Sequence, residues 1–155
     1  MTATNHALTG AAIALIINEP VLAIPVAFLS HYVIDVLPHF GIPGSIKERN
    51  KSLLGRVVVL VDAFCFITSL IVLPLLAHRI NVNPWLVLAC MLAAFAPDAV
   101  YLIRFPKELK TGEFIKGGVF SRFHRKIQLC ERPWGILVEV VFMGLMLIFL
   151  AKKLY

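Results

Sequence analysis

Three ionisable residues fall at four-residue intervals in the stretch "SHYVIDVLPHF", Ser30 to Phe40: His31, Asp35 and His39. On an α-helix, residues four apart share one face and lie about 6 Å from each other, a spacing that suits two ligands of one metal ion. His31 and Asp35 meet that condition. Pro38 disfavours helical geometry at Leu37, so His39 is expected among the first residues released from the helix, able to turn back towards the same ion. Imidazole together with carboxylate suits zinc, and carboxylate-rich sets also suit manganese or iron. His6, Asp62, Asp98, His124 and Glu139 carry the same chemistry elsewhere in the chain. That is more than one tetrahedral ion needs, and the set has room for two or three divalent ions.

The elements that must position these groups are apolar. Of 155 residues, 59% are hydrophobic and only 15% charged, with a mean hydropathy of +0.86. A soluble domain has roughly 45–50% apolar and about 25% charged residues, so this chain is too apolar to cover itself with a polar surface. Its length fits one domain, residues 1–155. The Met-Thr-Ala-Thr-Asn start lacks a basic region, so no cleavable signal peptide is expected. Cys65 and Cys90 lie in apolar runs and Cys130 in a basic loop, with no zinc-motif spacing; reduced thiols are expected.

Five apolar segments can be drawn: Thr4–Ile17, stopped by the turn Asn18-Glu19-Pro20; Pro20–Leu37, ended by Pro38 and Gly41; Leu53–Ala77; Pro84–Ile103; and Pro133–Ala151. Spanning a bilayer takes about 20 residues, with a range of roughly 17–25. The last four segments qualify, and the first is a thin span or the re-entrant half of a hairpin with the second. The expected fold is all-α, an integral membrane bundle of four to five helices with little or no strand. Lys47, Arg49 and Lys51 lie between Phe40 and Ser52, with Arg56 just beyond, and eight basic residues lie between Arg104 and Arg132. Two spans separate these loops, which puts both on one face, and the positive-inside rule makes that face cytoplasmic. The expectation is a multi-pass protein of the inner cell membrane, with Lys152 and Lys153 on the outer side against the rule. The net charge of +6 could draw anionic lipid headgroups, at about 1 kcal/mol per basic residue. Membrane lipids are the expected partners, and no nucleic acid is.

Charged groups inside spans point to a functional site by default. At a rise of about 1.5 Å per residue, His6 and His31 both lie about 17 Å from the Asn18 turn. Asp62 and Asp98 are level with each other by the same reckoning from the turn near Asn83, and Glu139 enters the fifth segment from its cytoplasmic end. All of them fall in the cytoplasmic half. Each also has a plainer alternative. His6 could be a surface residue, and His31 could hydrogen-bond a helix backbone. Asp35 could pair with His39 at a helix end, and Asp62 with Arg56. Asp98 could mark a kink after Pro97. Glu139 could pair with Arg132 or Lys126, and His124 could belong to a solvated basic face.

The stretch "HYVIDVLPHF" resembles the His-x-x-x-Asp…Pro…His signature of the zinc-dependent phospholipase C and single-strand nuclease superfamily. The early "NHALTGAAIA", with His6 and Gly10, and the later "FSRFHRKIQLCERPWGILVE" resemble bacterial membrane-bound metal-dependent hydrolases, often regarded as membrane relatives of that group. The resemblance implies that His31 and Asp35 are paired metal ligands and His39 the histidine after the proline. The superfamily's second His-x-x-x-Asp/Glu pair has no counterpart, since Gln128 stands at that spacing from His124. Asp62, Asp98, His124 and Glu139 would then complete a smaller cluster. The implied activity is hydrolysis of a lipid or lipid-linked phosphoester, with Asp98 or Asp62 orienting water and Arg122, Arg125, Lys126 and Arg56 neutralising phosphate. The alternatives are a metal-binding or metal-transporting membrane protein without hydrolysis, and a scaffold whose polar groups hold helices together.

Overall fold

The computed structural model describes residues 1–42, 52–111, 118 and 130–155, and for 101–109 and 111 the backbone only. Among the described residues the fold is all-helical apart from two strands of two residues each. The helices are α1 (Ala3–Ile17), α2 (Pro20–Ile34), α3 (Leu53–Arg79), α4 (Pro84–Thr111) and α5 (Gly135–Leu154), with β1 (His39–Phe40) and β2 (Glu131–Arg132). The breaks follow local chemistry. Asn18 takes the left-handed conformation (φ 47°) that ends α1. One residue on, the Glu19 side chain accepts a hydrogen bond from Val21 N at 3.3 Å, and Pro20 opens α2. Ser52 Oγ caps α3 by accepting from Gly55 N at 3.2 Å. Asn81 (φ 60°) lies in the turn before α4, and Asn83 Oδ1 accepts from Trp85 N at 2.9 Å.

Two ends differ from the sequence expectation. α2 stops at Ile34 rather than Leu37, because the chain tightens into a turn ahead of Pro38, with Leu37 N donating to Ile34 O at 3.1 Å. α4 runs to Thr111, well past Ile103; loss of apolar character ends a span but not a helix.

α1 is the central helix and packs against the other four. It is buried on most sides, through Asn5, His6, Ala7, Leu8, Gly10, Ala11 and Ala14 among others, as a helix without a polar face must be. Small residues let its neighbours close in. A Cβ added to Gly10 would lie 2.7 Å from the Cys90 carbonyl carbon and 2.8 Å from Met91 Cα, so α1 and α4 touch backbone to backbone there. They run antiparallel, since one turn back along α1 His6 meets Asp98, two turns on along α4. The outside is apolar instead: Leu60, Phe64, Leu75, Leu137 and Val141 are all exposed. Two helices, α3 and α5, are long and apolar enough to cross a membrane.

β1 and β2 pair in parallel, His39 opposite Glu131 and Phe40 opposite Arg132. The pairing brings together the ends of the two basic loops. Gly135 permits the packing of α5 beneath it, since a Cβ there would lie 2.7 Å from His39 Cα.

Candidate metal centre

The tight α1–α2 hairpin sets residues at equal distance from its turn side by side. His6 and His31 are such a pair, and their rings stack with centroids 4.0 Å apart at 17°. Both are fully buried. Asp35 lies just past the end of α2, yet its N–H still donates to His31 O at 3.1 Å, so the four-residue spacing keeps its helical geometry. Asp98 comes from α4, immediately after Pro97.

His31 has a fixed tautomer. Its Nδ1 lies 2.8 Å from the Ala94 carbonyl oxygen, which can only accept, so Nδ1 carries the hydrogen. Pro97 lacks an N–H and its ring crowds the preceding turn, in which Ala94 lies. In the neutral ring, Nε2 then holds a lone pair. It points at carboxylates, 3.2 Å from Asp35 Oδ2 and 3.8 Å from Asp98 Oδ1. A histidine held through one nitrogen by a backbone carbonyl, with the other presented to a cation, is the usual arrangement of a metal ligand.

His6 repeats the motif with less support. Its Nε2 lies 3.2 Å from Asp35 Oδ1 and 3.7 Å from Asp98 Oδ2. Neither of its ring nitrogens has a hydrogen-bond partner, although both are buried. The Met1 amino group contacts Asp35 Oδ1, but it leaves both nitrogens of His6 unserved. Buried polar atoms without partners are rare and costly. Two ligands in a tetrahedral site with bonds of about 2.0–2.1 Å lie about 3.3–3.4 Å apart, close to the separations found here. His6, His31 and Asp98 form a group that could hold a metal ion, with donor atoms all within 4.8 Å of one another, and Asp35 adjoins both imidazoles. Asp98 alone among the four reaches the surface, with 22% of its side chain exposed.

The other expected site residues are placed differently. His39 is buried and its Nδ1 donates to Leu37 O at 2.8 Å. Glu139 Oε1 accepts from Phe40 N at 3.1 Å, and its backbone oxygen accepts from Asn5 Nδ2 at 3.2 Å. Asp62 faces the first turn of α1, where Oδ2 accepts from Ala3 N and Oδ1 from Thr4 N, both at 2.9 Å. Arg56 is exposed on the first turn of α3. His124, Arg122, Arg125 and Lys126 lie outside the described residues. Sequence reading missed the Ala94 carbonyl, Thr4 and Asn5. Pro97, three residues after Ala94, was the available signal for the first. No signal marks the others beyond their polarity at the head of an apolar segment.

No family model, curated protein or solved structure matches the chain.

Proposed function

We propose that this protein is a membrane-embedded, metal-dependent hydrolase, a bundle of four to five membrane helices acting on a phosphoester of a lipid or lipid-linked substrate at the cytoplasmic face of the inner membrane. The observation that carries the reading is His6. Two orphaned, buried imidazole nitrogens, one of them facing two carboxylates, beside a second imidazole locked with Nε2 towards the same carboxylates, call for a cation in their midst. His6, His31 and Asp98 would hold it, with Asp35 beside both imidazoles; that leaves one tetrahedral position for water, and zinc suits two imidazoles with an oxygen ligand.

The membrane reading rests on the inversion of the usual distribution. Large apolar side chains cover the outside, while many alanines and several polar residues share the inside with leucines and Met91, a pattern that suits lipid as solvent. From Trp134 to Tyr155, both exposed at the ends of α5, the helix rises about 31 Å, against a hydrocarbon core of about 30 Å. Trp85 is exposed at the start of α4, and aromatic residues favour such interfaces.

A divalent ion held in this group would supply hydroxide near neutral pH by lowering the pKa of water. Asp98, the one partly open member, is suited to orient that water and take its proton. His31 is held in register by Ala94, and Asp35 bridges the two imidazoles. Arg56, with Arg122, Arg125 and Lys126, would offset phosphate charge. The resemblance of "HYVIDVLPHF" to the phospholipase C superfamily points the same way.

The test is metal analysis of the purified protein, followed by assay on phosphodiester lipids. Stoichiometric metal, lost on chelation together with turnover and restored with it, supports the reading. Metal without turnover indicates a binding or transport protein, and no metal indicates structural polar contacts.

A further inference from the structure

We infer that Asp62 is a positioning residue: from α3 it caps the first turn of α1 and thereby sets the height and rotation of His6. The first four N–H groups of a helix have no partner within it. Thr2, at the N-cap position of α1, makes no side-chain capping bond. Asp62 supplies the cap from the neighbouring helix instead. Its Oδ2 accepts from Ala3 N at 2.9 Å, and its Oδ1 from Thr4 N at 2.9 Å and from Thr4 Oγ1 at 2.6 Å. Thr4 Oγ1 also lies 3.1 Å from the Asp62 backbone oxygen. A carboxylate at this end of α1 is favoured by the helix dipole as well.

Both carboxylate oxygens are therefore engaged by donors of α1, and Asp62 acts on the centre through that helix rather than by reaching the ion. His6 follows Thr4 by two residues, a rise of about 3 Å. Its ring stacks on His31 and faces Asp35, but no backbone carbonyl anchors either nitrogen, so the height of His6 is set by the backbone beneath it. His31, by contrast, has the Ala94 carbonyl. Asp62 is to His6, through the backbone, what Ala94 is to His31 directly.

This inference rests on the metal reading, and Co2+ binding to the purified full-length protein tests the two separately. Changing a group that orients a ligand typically costs 10–100-fold in metal affinity, and Asp62→Ala is expected to fall in that range with unchanged stoichiometry at saturation. Asp62→Asn keeps an oxygen for Thr4 and is expected to retain more of the affinity. The deciding comparison is a cycle with His6→Ala. In that background neither Asp62 substitution should weaken Co2+ binding further, because the ligand it positions is gone. Equal losses in both backgrounds would overturn the inference, marking Asp62 as a ligand or a general support of the fold. Where Asp62→Ala fails to insert, the same cycle is read with Asp62→Asn. Wild-type protein that takes up no Co2+ overturns the metal reading itself, and this inference with it.

Discussion

Asp62 and Asp98 sit on adjacent antiparallel helices at nearly the same depth, and each meets the first two turns of α1. They nevertheless face opposite kinds of partner. Asp62 meets three donors, two backbone N–H groups and a hydroxyl. Asp98 meets two imidazole nitrogens, Nε2 of His6 at 3.7 Å and Nε2 of His31 at 3.8 Å. A buried carboxylate is stabilised by hydrogen bonds to its charged form or by a cation. The first is held by hydrogen bonds, and the second belongs to the group that could hold a metal ion. What distinguishes them is the partners they meet in the neighbouring helices, not residue type or depth.

The largest expected effect breaks the comparison on the Asp98 side. Asp35 lies 3.2 Å from both imidazoles, so Asp35→Ala removes the group that bridges them. The variant is expected to insert normally but to purify without metal and without turnover. An ion present at a hundred times its Kd stabilises a protein by about 2.7 kcal/mol. Adding metal should therefore raise the unfolding midpoint of the wild type and leave that of Asp35→Ala unmoved. If the variant is merely less stable and keeps its metal, Asp35 is helix glue and His6, His31 and Asp98 hold the ion without it.

Much of the geometry behind this contrast is legible in the chain. Asn18-Glu19-Pro20 carries a left-handed stop, a cap and a helix-opening proline in succession, which makes a hairpin and puts His6 level with His31. The spacing of His31 and Asp35 survives although α2 ends between them, because the bond from Asp35 N to His31 O is still made. The assignment of Asp62 was not legible. Its partners are backbone N–H groups that every sequence has, and α1, apolar nearly all round, carries no pattern to say which side faces α3. The β1–β2 pairing was equally silent, since two residues at 39 and two at 131 offer no period to read. His31 bonds a helix backbone, as the plainer reading expects, and its Nε2 faces the carboxylates.

A smaller effect tests the contact on which the centre depends. Gly10 lies against the Cys90 carbonyl, and backbone cannot step aside as a flexible side chain does. Gly10→Ala should push α1 from α4 and cost about 1–3 kcal/mol as overpacking. Because His6 is one turn away on α1 and Asp98 lies on α4, metal affinity should fall as well. Loss of stability with affinity intact would mean that the two helices part without moving the centre.

The smallest effect sharpens the comparison on the Asp62 side. Thr4 Oγ1 gives Asp62 its shortest contact, 2.6 Å to Oδ1, but the N–H groups of Ala3 and Thr4 remain when the hydroxyl is removed. Thr4→Val keeps the shape of the side chain and deletes one of three donors. The expected loss is about 1.5–3 kcal/mol at most, the range for a hydrogen bond to a charged group, and less where the two remaining donors tighten. Stoichiometric metal and turnover should persist, since neither Thr4 nor Asp62 is among the residues proposed to hold the ion. Thermal unfolding with and without added metal checks this, because the metal-dependent rise in the midpoint should match that of the wild type. If Thr4→Val instead strips the metal as fully as Asp35→Ala, the two carboxylates belong to one network, and the division drawn between them fails.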